Sequence, residues 1–170
     1  MTTPVLQTNR LELVPLQPDD AGEMAVVVGD PELHAFTGGE PLDTAALRDR
    51  FERLAIGRSQ DGLEAWHNWI VRLLATGEAI GTVQATVVSD RSIAEVAWVI
   101  GVPWQGRGYA SEAARALVAW LDTIGMTTIE AHVHPRHAAS EKVAARATLS
   151  PTDELVDGER VWRRITPPTT

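Results

Sequence analysis

The chain of 170 residues is long enough for one well-packed domain and short for two, and its composition, 44% hydrophobic and 22% charged, suits a self-folding globular protein. A formal net charge of −8 argues against a broad grip on nucleic acid, which needs clustered lysine and arginine, and it accommodates an amine-bearing partner more easily. With no cysteine in the chain, disulfides, thiolate metal sites and a cysteinyl covalent intermediate are all removed. The opening segment, MTTPVLQTNRLELVPL, lacks a basic region followed by an apolar core, and no later run reaches the roughly 18 apolar residues of a membrane span. A cytoplasmic protein without membrane contact is expected.

Alternation over Arg10 to Leu16 predicts a first strand. A helix follows, with Asp19 as N-cap, Ala21, Met24, Ala25 and Val28 on one face, and Gly29 at its end. A second helix is predicted after the cap Asp43, with Leu47, Phe51, Leu54 and Ala55 at helical spacing and Gly57 beyond. Between the two lies the glycine-rich loop HAFTGGEP. The period then changes: AWHNWIVRLL, AIGTVQATVV and SIAEVAWVI are β-rich runs separated by short breaks, which predicts an antiparallel meander. A helix from about Tyr109 to Ile124 carries the apolar stripe Ala110, Ala113, Ala114, Leu117, Val118 and Leu121. TTIEAHV reads as a strand, AASEKVAARA as a short helix, and ERVWRRI as a last strand after the turn VDGE. The chain is read as one domain over 1–170, with a core over 6–165 and a frayed tail, TPPTT, over 166–170.

Between the meander and the long helix stands VPWQGRGYASEA. A strand, a glycine loop and a helix start bring free backbone N–H groups and the positive end of a helix dipole to one spot, which is an anion site with its anion unspecified. A triphosphate P-loop requires Lys then Ser or Thr after its second glycine, and Tyr109, Ala110 and Ser111 stand there instead. A dinucleotide fingerprint would use Gly106 and Gly108, with Glu130 as the acidic ribose partner roughly 20 residues on. Against it, the third glycine is Ser111, the preceding strands read as antiparallel, and too little chain follows for a doubly wound sheet.

Gln105-x-x-Gly108-x-Ala110 resembles the Q/R-x-x-G-x-G/A signature of the GNAT acyltransferases. LQTNRLELVPLQPDDA, AEVAWVIGVPWQGRGYASEAARALVAWL and VHPRHAASEKVAARATL are similar to segments of the ribosomal-protein-alanine acetyltransferase-like branch, and the order of elements agrees from Leu6 to Ile165. The resemblance implies an α/β fold with a mixed, mostly antiparallel sheet of about seven strands flanked by about four helices. It also implies acetyl coenzyme A as cosubstrate. The pyrophosphate would lie on Gln105, Gly106, Arg107, Gly108, Tyr109, Ala110 and Ser111, and the thioester carbonyl against backbone N–H groups of Val99, Ile100, Gly101 and Val102. His137 stands where the family usually has an asparagine against the pantetheine arm, and Thr148 and Leu149 replace Gly-Phe, so the short helix should end without the easy left-handed glycine cap.

Acyl transfer to an amine needs a proton acceptor, stabilisation of the carbonyl oxygen and departure of a thiolate. Glu95 shares a strand face with Ile93, Ala97 and Val99, and apolar neighbours would raise its pKa and suit it as the base; its other reading is an exposed strand carboxylate. The tyrosine that often protonates the leaving thiolate late in the family is missing, because Tyr109 is the only tyrosine. Ser140 is the substitute, with helix capping as its other role. Arg107 pairs with coenzyme phosphates in this reading, while Lys142 and Arg146 read as a solvated helix face. His132, His134 and His137 are read as hydrogen-bonded rather than metal-binding, since no carboxylate stands at a metal spacing. Trp98, Trp120 and Trp162 read as core. Trp66, Trp69 and Trp104 are candidates for an acceptor cleft, and His34, Phe36 and Trp66 are the acceptor residues chosen.

The function expected is acetyl transfer to a primary amine, on a protein N-terminus or a small molecule, by direct attack in a ternary complex of a monomer or homodimer. The alternative is a coenzyme-binding module that has lost catalysis.

Overall fold

The structure is a computed structural model and describes residues 2–36 and 38–167. The described residues form one mixed sheet of eight strands, β1 (Leu6–Gln7), β2 (Leu11–Pro15), β3 (Ala65–Leu73), β4 (Ala79–Val88), β5 (Ile93–Ile100), β6 (Thr128–Val133), β7 (Ser150–Val156) and β8 (Glu159–Ile165). They also form four α-helices, α1 (Ala21–Val27), α2 (Thr44–Ala55), α3 (Tyr109–Thr123) and α4 (Ala138–Arg146). The strand order is β1-β2-β3-β4-β5-β6-β8-β7, antiparallel except for β5 against β6. The mixed sheet and four helices agree with the expected class. Among the described residues no helix is long and apolar enough to cross a membrane.

The meander forms because its runs alternate and its breaks are short: β3, β4 and β5 pair in register from Ala65↔Val87 to Val88↔Ile93. Gly81 allows β4 and β5 to close, since a Cβ there would stand 2.1 Å from the Val99 carbonyl oxygen. One face of the sheet packs on α3 and α4 through Val83, Val96, Leu117, Leu121, Ile129 and their neighbours, and a smaller cluster of Met24, Leu47, Phe51 and Ile70 holds α1 and α2. Trp104 touches both clusters.

Several local expectations are corrected. The cap before α1 is Asp20, whose Oδ2 accepts from the Gln17 N–H at 2.8 Å, while Asp19 pairs with Arg48 at 2.9 Å. Strand β7 is absent from the sequence reading because Pro151, Asp153 and Glu154 break its pattern; as the edge strand it needs no buried face. Trp69 is wholly buried and donates its indole N–H to the Pro4 carbonyl at 2.7 Å, so it belongs to the core and not to an acceptor cleft. The expected tail begins with a bonded residue, Thr166, whose N–H donates to the Thr127 carbonyl at 2.8 Å; its last three residues, 168–170, lie outside the described residues.

The end of α4 corrects another expectation. The Leu149 and Thr148 N–H groups donate to the Ala144 and Ala145 carbonyls, each at 3.0 Å, and Thr148 takes φ 72°. The left-handed cap therefore forms, carried by a β-branched residue at a strain of roughly 1–2 kcal/mol.

Candidate active site

The β5–β6 ladder runs from Ile93↔Thr128 to Glu95↔Glu130, and beyond that pair β5 continues to Ile100 and β6 to Val133. The two strands therefore open like a V whose vertex is Glu95. Backbone groups alternate sides along a strand. The Ser92 carbonyl accepts from Thr127 and Thr128 on the β6 side, and the Gly101 N–H donates to the Ile80 carbonyl on the β4 side at 2.8 Å. By the same alternation Trp98 and Ile100 aim their N–H groups into the V. The expected donor stretch Val99 to Val102 is thereby corrected: Val99 turns toward β4, Gly101 is already bonded, and Ile100 is the member that faces the opening.

The Gln105 side chain donates to the Ile100 carbonyl at 2.9 Å and braces the turn, so this amide is engaged with the chain itself and not held out for a cofactor. Beyond it Gly106 has φ 75° and Gly108 φ 82°, and Gly108 is the N-cap of α3 with no side chain over the helix end. Consecutive N–H groups on Tyr109, Ala110 and Ser111 then face outward without intrahelical partners, at the positive end of a 15-residue helix. Ser111 is buried, so its contribution there is its backbone N–H. Arg107 is exposed between the two glycines, and Lys142 and Arg146 lie on the exposed face of α4. This donor set suits a pyrophosphate: backbone N–H groups in a concavity, a helix dipole and a nearby guanidinium.

Glu95 departs from its expected surroundings. Its side chain is 53% exposed, and the His132 ring lies beside it, Nδ1 to Oε1 3.8 Å. The apolar enclosure expected around it is absent, because the face it shares with Ala97 and Val99 is turned away from the α3 and α4 core. Glu130, beside it across the vertex, is paired with Arg163, which also holds Glu154, so the carboxylate proposed for a dinucleotide ribose is already engaged.

Residues distant in sequence gather at the start of α4. His137 is its N-cap, and the Phe36 ring stacks on it with centroids 4.3 Å apart, while tilting against His134 at 5.3 Å. Burial first, and then the neighbouring His134, push the His137 pKa down. Ser140 lies inside the helix and caps nothing; its oxygen accepts the Trp98 indole N–H at 3.1 Å, which leaves its own hydroxyl proton to donate elsewhere. The three histidines do not converge on one point: His132 faces Glu95, while His134, whose Nδ1 accepts from the Arg136 N–H at 3.1 Å, and His137 share the Phe36 ring. His34 ends a 3-10 turn two residues before Phe36.

Trp66 pairs with Thr86 and Thr86 with Glu95, so all three share a face and Trp66 stands two strand spacings, roughly 10 Å, from the carboxylate. There it lines a cleft of about 850 Å³ with Leu54, Ile56, Leu63, Glu64 and Asn68. Sequence reasoning missed Arg10, Glu112 and His67. The first two meet beside the glycine loop. His67 is buried with Nδ1 on the Thr3 hydroxyl at 2.9 Å, and burial pushes its pKa down. A charged residue opening an alternating strand and a histidine inside one carry no local signal of these contacts.

Comparison with known proteins agrees with this geometry. Residues 10–149 match the acetyltransferase (GNAT) domain family. The chain is 27% identical over 163 residues to an uncharacterized N-acetyltransferase, p20, of Bacillus licheniformis, covering 94% of this chain and 90% of that protein. Among solved structures it superposes on a putative ribosomal-protein-serine acetyltransferase from Vibrio cholerae with a TM-score of 0.78 at 21% identity, covering 98% and 100% of the two chains. It superposes on RimL, the ribosomal L7/L12 alpha-N-protein acetyltransferase solved with coenzyme A, with a TM-score of 0.79 at 15% identity, covering 95% and 98%. The chain belongs to the GNAT acetyltransferase family. It is an acetyl coenzyme A-dependent acyltransferase.

Proposed function

We propose that the protein acetylates a primary amine at the end of an extended molecule, such as a protein N-terminus or an elongated small amine, by direct attack at the vertex of the β5–β6 opening. The observation that carries this reading is the coincidence of three features: a ladder that stops at Glu95, a strand that continues into a bare helix start, and a carboxylate facing the acceptor side of the vertex. Acetyl coenzyme A supplies the thioester. The N–H groups of Tyr109, Ala110 and Ser111, with Arg107, hold its pyrophosphate, and the Ile100 N–H, with that of Trp98, stabilises the carbonyl oxygen as charge develops on it. Glu95 takes the ammonium proton directly or through water, at an exposure that gives water access. Ser140, fixed by the Trp98 indole, donates to the departing sulfur. His137, held neutral by burial, offers one ring nitrogen to the pantetheine arm.

The roughly 10 Å between Glu95 and Trp66 is about three residues of extended chain, so an acceptor that fills the Trp66 cleft while its amine reaches Glu95 is elongated. The ribosomal-protein substrates named for the Vibrio cholerae and RimL structures support a protein N-terminus as the first acceptor to try. Phe36, on His134 and His137, borders the approach on the α4 side, and His34 is the neighbouring acceptor residue of this reading.

Thiol release from acetyl coenzyme A, measured over amines and peptides of increasing length, tests the reading. Turnover is expected only with free amines and should rise with acceptor length, and Glu95→Gln should lower kcat/KM by about 100-fold while coenzyme binding persists. Undiminished turnover in Glu95→Gln would remove the proposed base, and tight coenzyme binding with no turnover on any amine would overturn the catalytic assignment.

A further inference from the structure

We propose that Arg10 and Glu112 form a clamp that holds the Gly106–Gly108 loop in its anion-binding shape, which makes Arg10 a positioning residue for the acyl donor. The proposal rests on the reading of that loop as the coenzyme site. Arg10 immediately precedes β2, 97 residues before Arg107, and its backbone is pinned there because the Leu74 N–H donates to its carbonyl at 2.9 Å. Its side chain crosses to α3. The Nε and Nη2 groups each stand 2.7 Å from Glu112 Oε2, and Nη1 donates to the Arg107 carbonyl at 3.0 Å, in the middle of the loop. The guanidinium also lies over the Tyr109 ring, 4.6 Å from its centroid.

The other Glu112 oxygen accepts from the Thr8 hydroxyl at 2.6 Å and from the Arg10 N–H at 2.9 Å. Burial pushes the Glu112 carboxyl up, but these hydrogen bonds and the Arg10 charge outweigh it and hold the pKa below the ordinary carboxylate value. Its side chain is 12% exposed.

These contacts have a role beyond general stability. First, the loop has little packing of its own: a Cβ built on Gly106 would meet nothing within 4 Å, whereas one on Gly108 would meet Arg10 Nη2 at 3.5 Å. Two left-handed glycines can leave their conformation freely, so an external hydrogen bond to Arg107 lowers the ordering needed on binding. Second, Glu112 sits in the first turn of α3, where an unpaired carboxylate would occupy the positive end of the helix and repel a phosphate. Pairing with Arg10, whose Nε and Nη2 both reach Oε2, offsets that charge and keeps the dipole available to a ligand.

The test is coenzyme A affinity by calorimetry, with steady-state kinetics and amide hydrogen exchange, on the wild type, Arg10→Ala, Arg10→Lys, Glu112→Ala and the double alanine variant. Arg10→Ala is expected to raise the coenzyme Kd about tenfold, with kcat at saturating donor changed less than about threefold and the acceptor KM unmoved. Exchange at residues 106–111 should accelerate in the free protein. Arg10→Lys should fall between, since an ammonium keeps the charge and loses the fork. The double variant should bind no more weakly than the weaker single variant, because both remove one device.

A Kd within about twofold of wild type in Arg10→Ala and Arg10→Lys overturns the clamp. If Arg10→Ala melts below the assay temperature, Arg10→Lys decides alone. Coenzyme that binds the wild type without protecting residues 106–111 would refute the loop as its site, an outcome separate from faster loop exchange in the unliganded variants.

Discussion

β5 runs into α3 and β6 into α4, so both lips of the opening are built as a strand followed by a helix, yet the two helices begin in opposite ways. Gly108 starts α3 with a left-handed backbone and no side chain, leaving the first N–H groups bare. His137 starts α4 with a half-buried ring under Phe36, and Ser140 one turn inside receives the Trp98 indole. Both helices are long enough for a terminal dipole. What separates them is the cap: a residue without a side chain leaves the first N–H groups of α3 open, and an aromatic stack covers the start of α4.

Substitution at the bare start should have the largest effect. Gly108→Trp places a side chain on a backbone at φ 82° and toward Arg10, and coenzyme affinity measured by calorimetry should fall by more than about 100-fold. Retained affinity would mean that the bare helix end does not hold the donor. At the other start, Ser140→Ala should lower kcat by about tenfold with the coenzyme Kd unchanged. An unchanged kcat in stopped assays would show that the thiolate leaves unaided.

A smaller effect is expected from pH. The folded pKa values of His137 and His67 lie below the unfolded value of about 6.5, so the fold prefers both rings neutral. Stability is then complete above about pH 6.5 and is lost as pH falls from there through the folded values, because the unfolded chain binds more protons. Melting temperature should drop between pH 7.5 and 5.5, roughly, and His137→Asn should flatten part of that drop. A slope equal to that of the wild type would detach the α4 cap from proton binding. The smallest effect belongs to the far end of α4: Thr148→Gly relieves φ 72° and should raise stability by about 1 kcal/mol in urea titration, less the backbone freedom that glycine gains when unfolded. A loss of stability would show that the Thr148 side chain contributes more than its strain.

The two lips also differ in how far they can be read from the residues alone. The α3 lip is local. Gly106, Gly108 and the alanine-rich stripe beyond them lie within one short stretch, and glycines before a periodic helix are a local signal of an open helix start. The α4 lip is assembled from Phe36, Trp98, His137 and Ser140, which are brought together by the path of the chain across two strands and a loop. Short-range patterns hold no record of that meeting. The same reason accounts for Glu95: alternation placed it correctly on a strand face with Ala97 and Val99, but whether that face is covered depends on where α1 and α2 pack. Thr148 runs the other way, since a residue type unsuited to the left-handed cap adopts it because Leu149 must turn into the core.

Residue order alone specifies the meander, the four helices and the glycine loop, because periodicity, caps and turn glycines act over a few residues. It also carried the family resemblance. Packing of the layers settled that the Trp98 and Ile100 N–H groups face the opening, that Glu95 is exposed and that Arg10 reaches the loop from a distant segment. Those features arise from strand pairing and side-chain contacts between segments as much as a hundred residues apart, and such contacts are fixed by how the layers close.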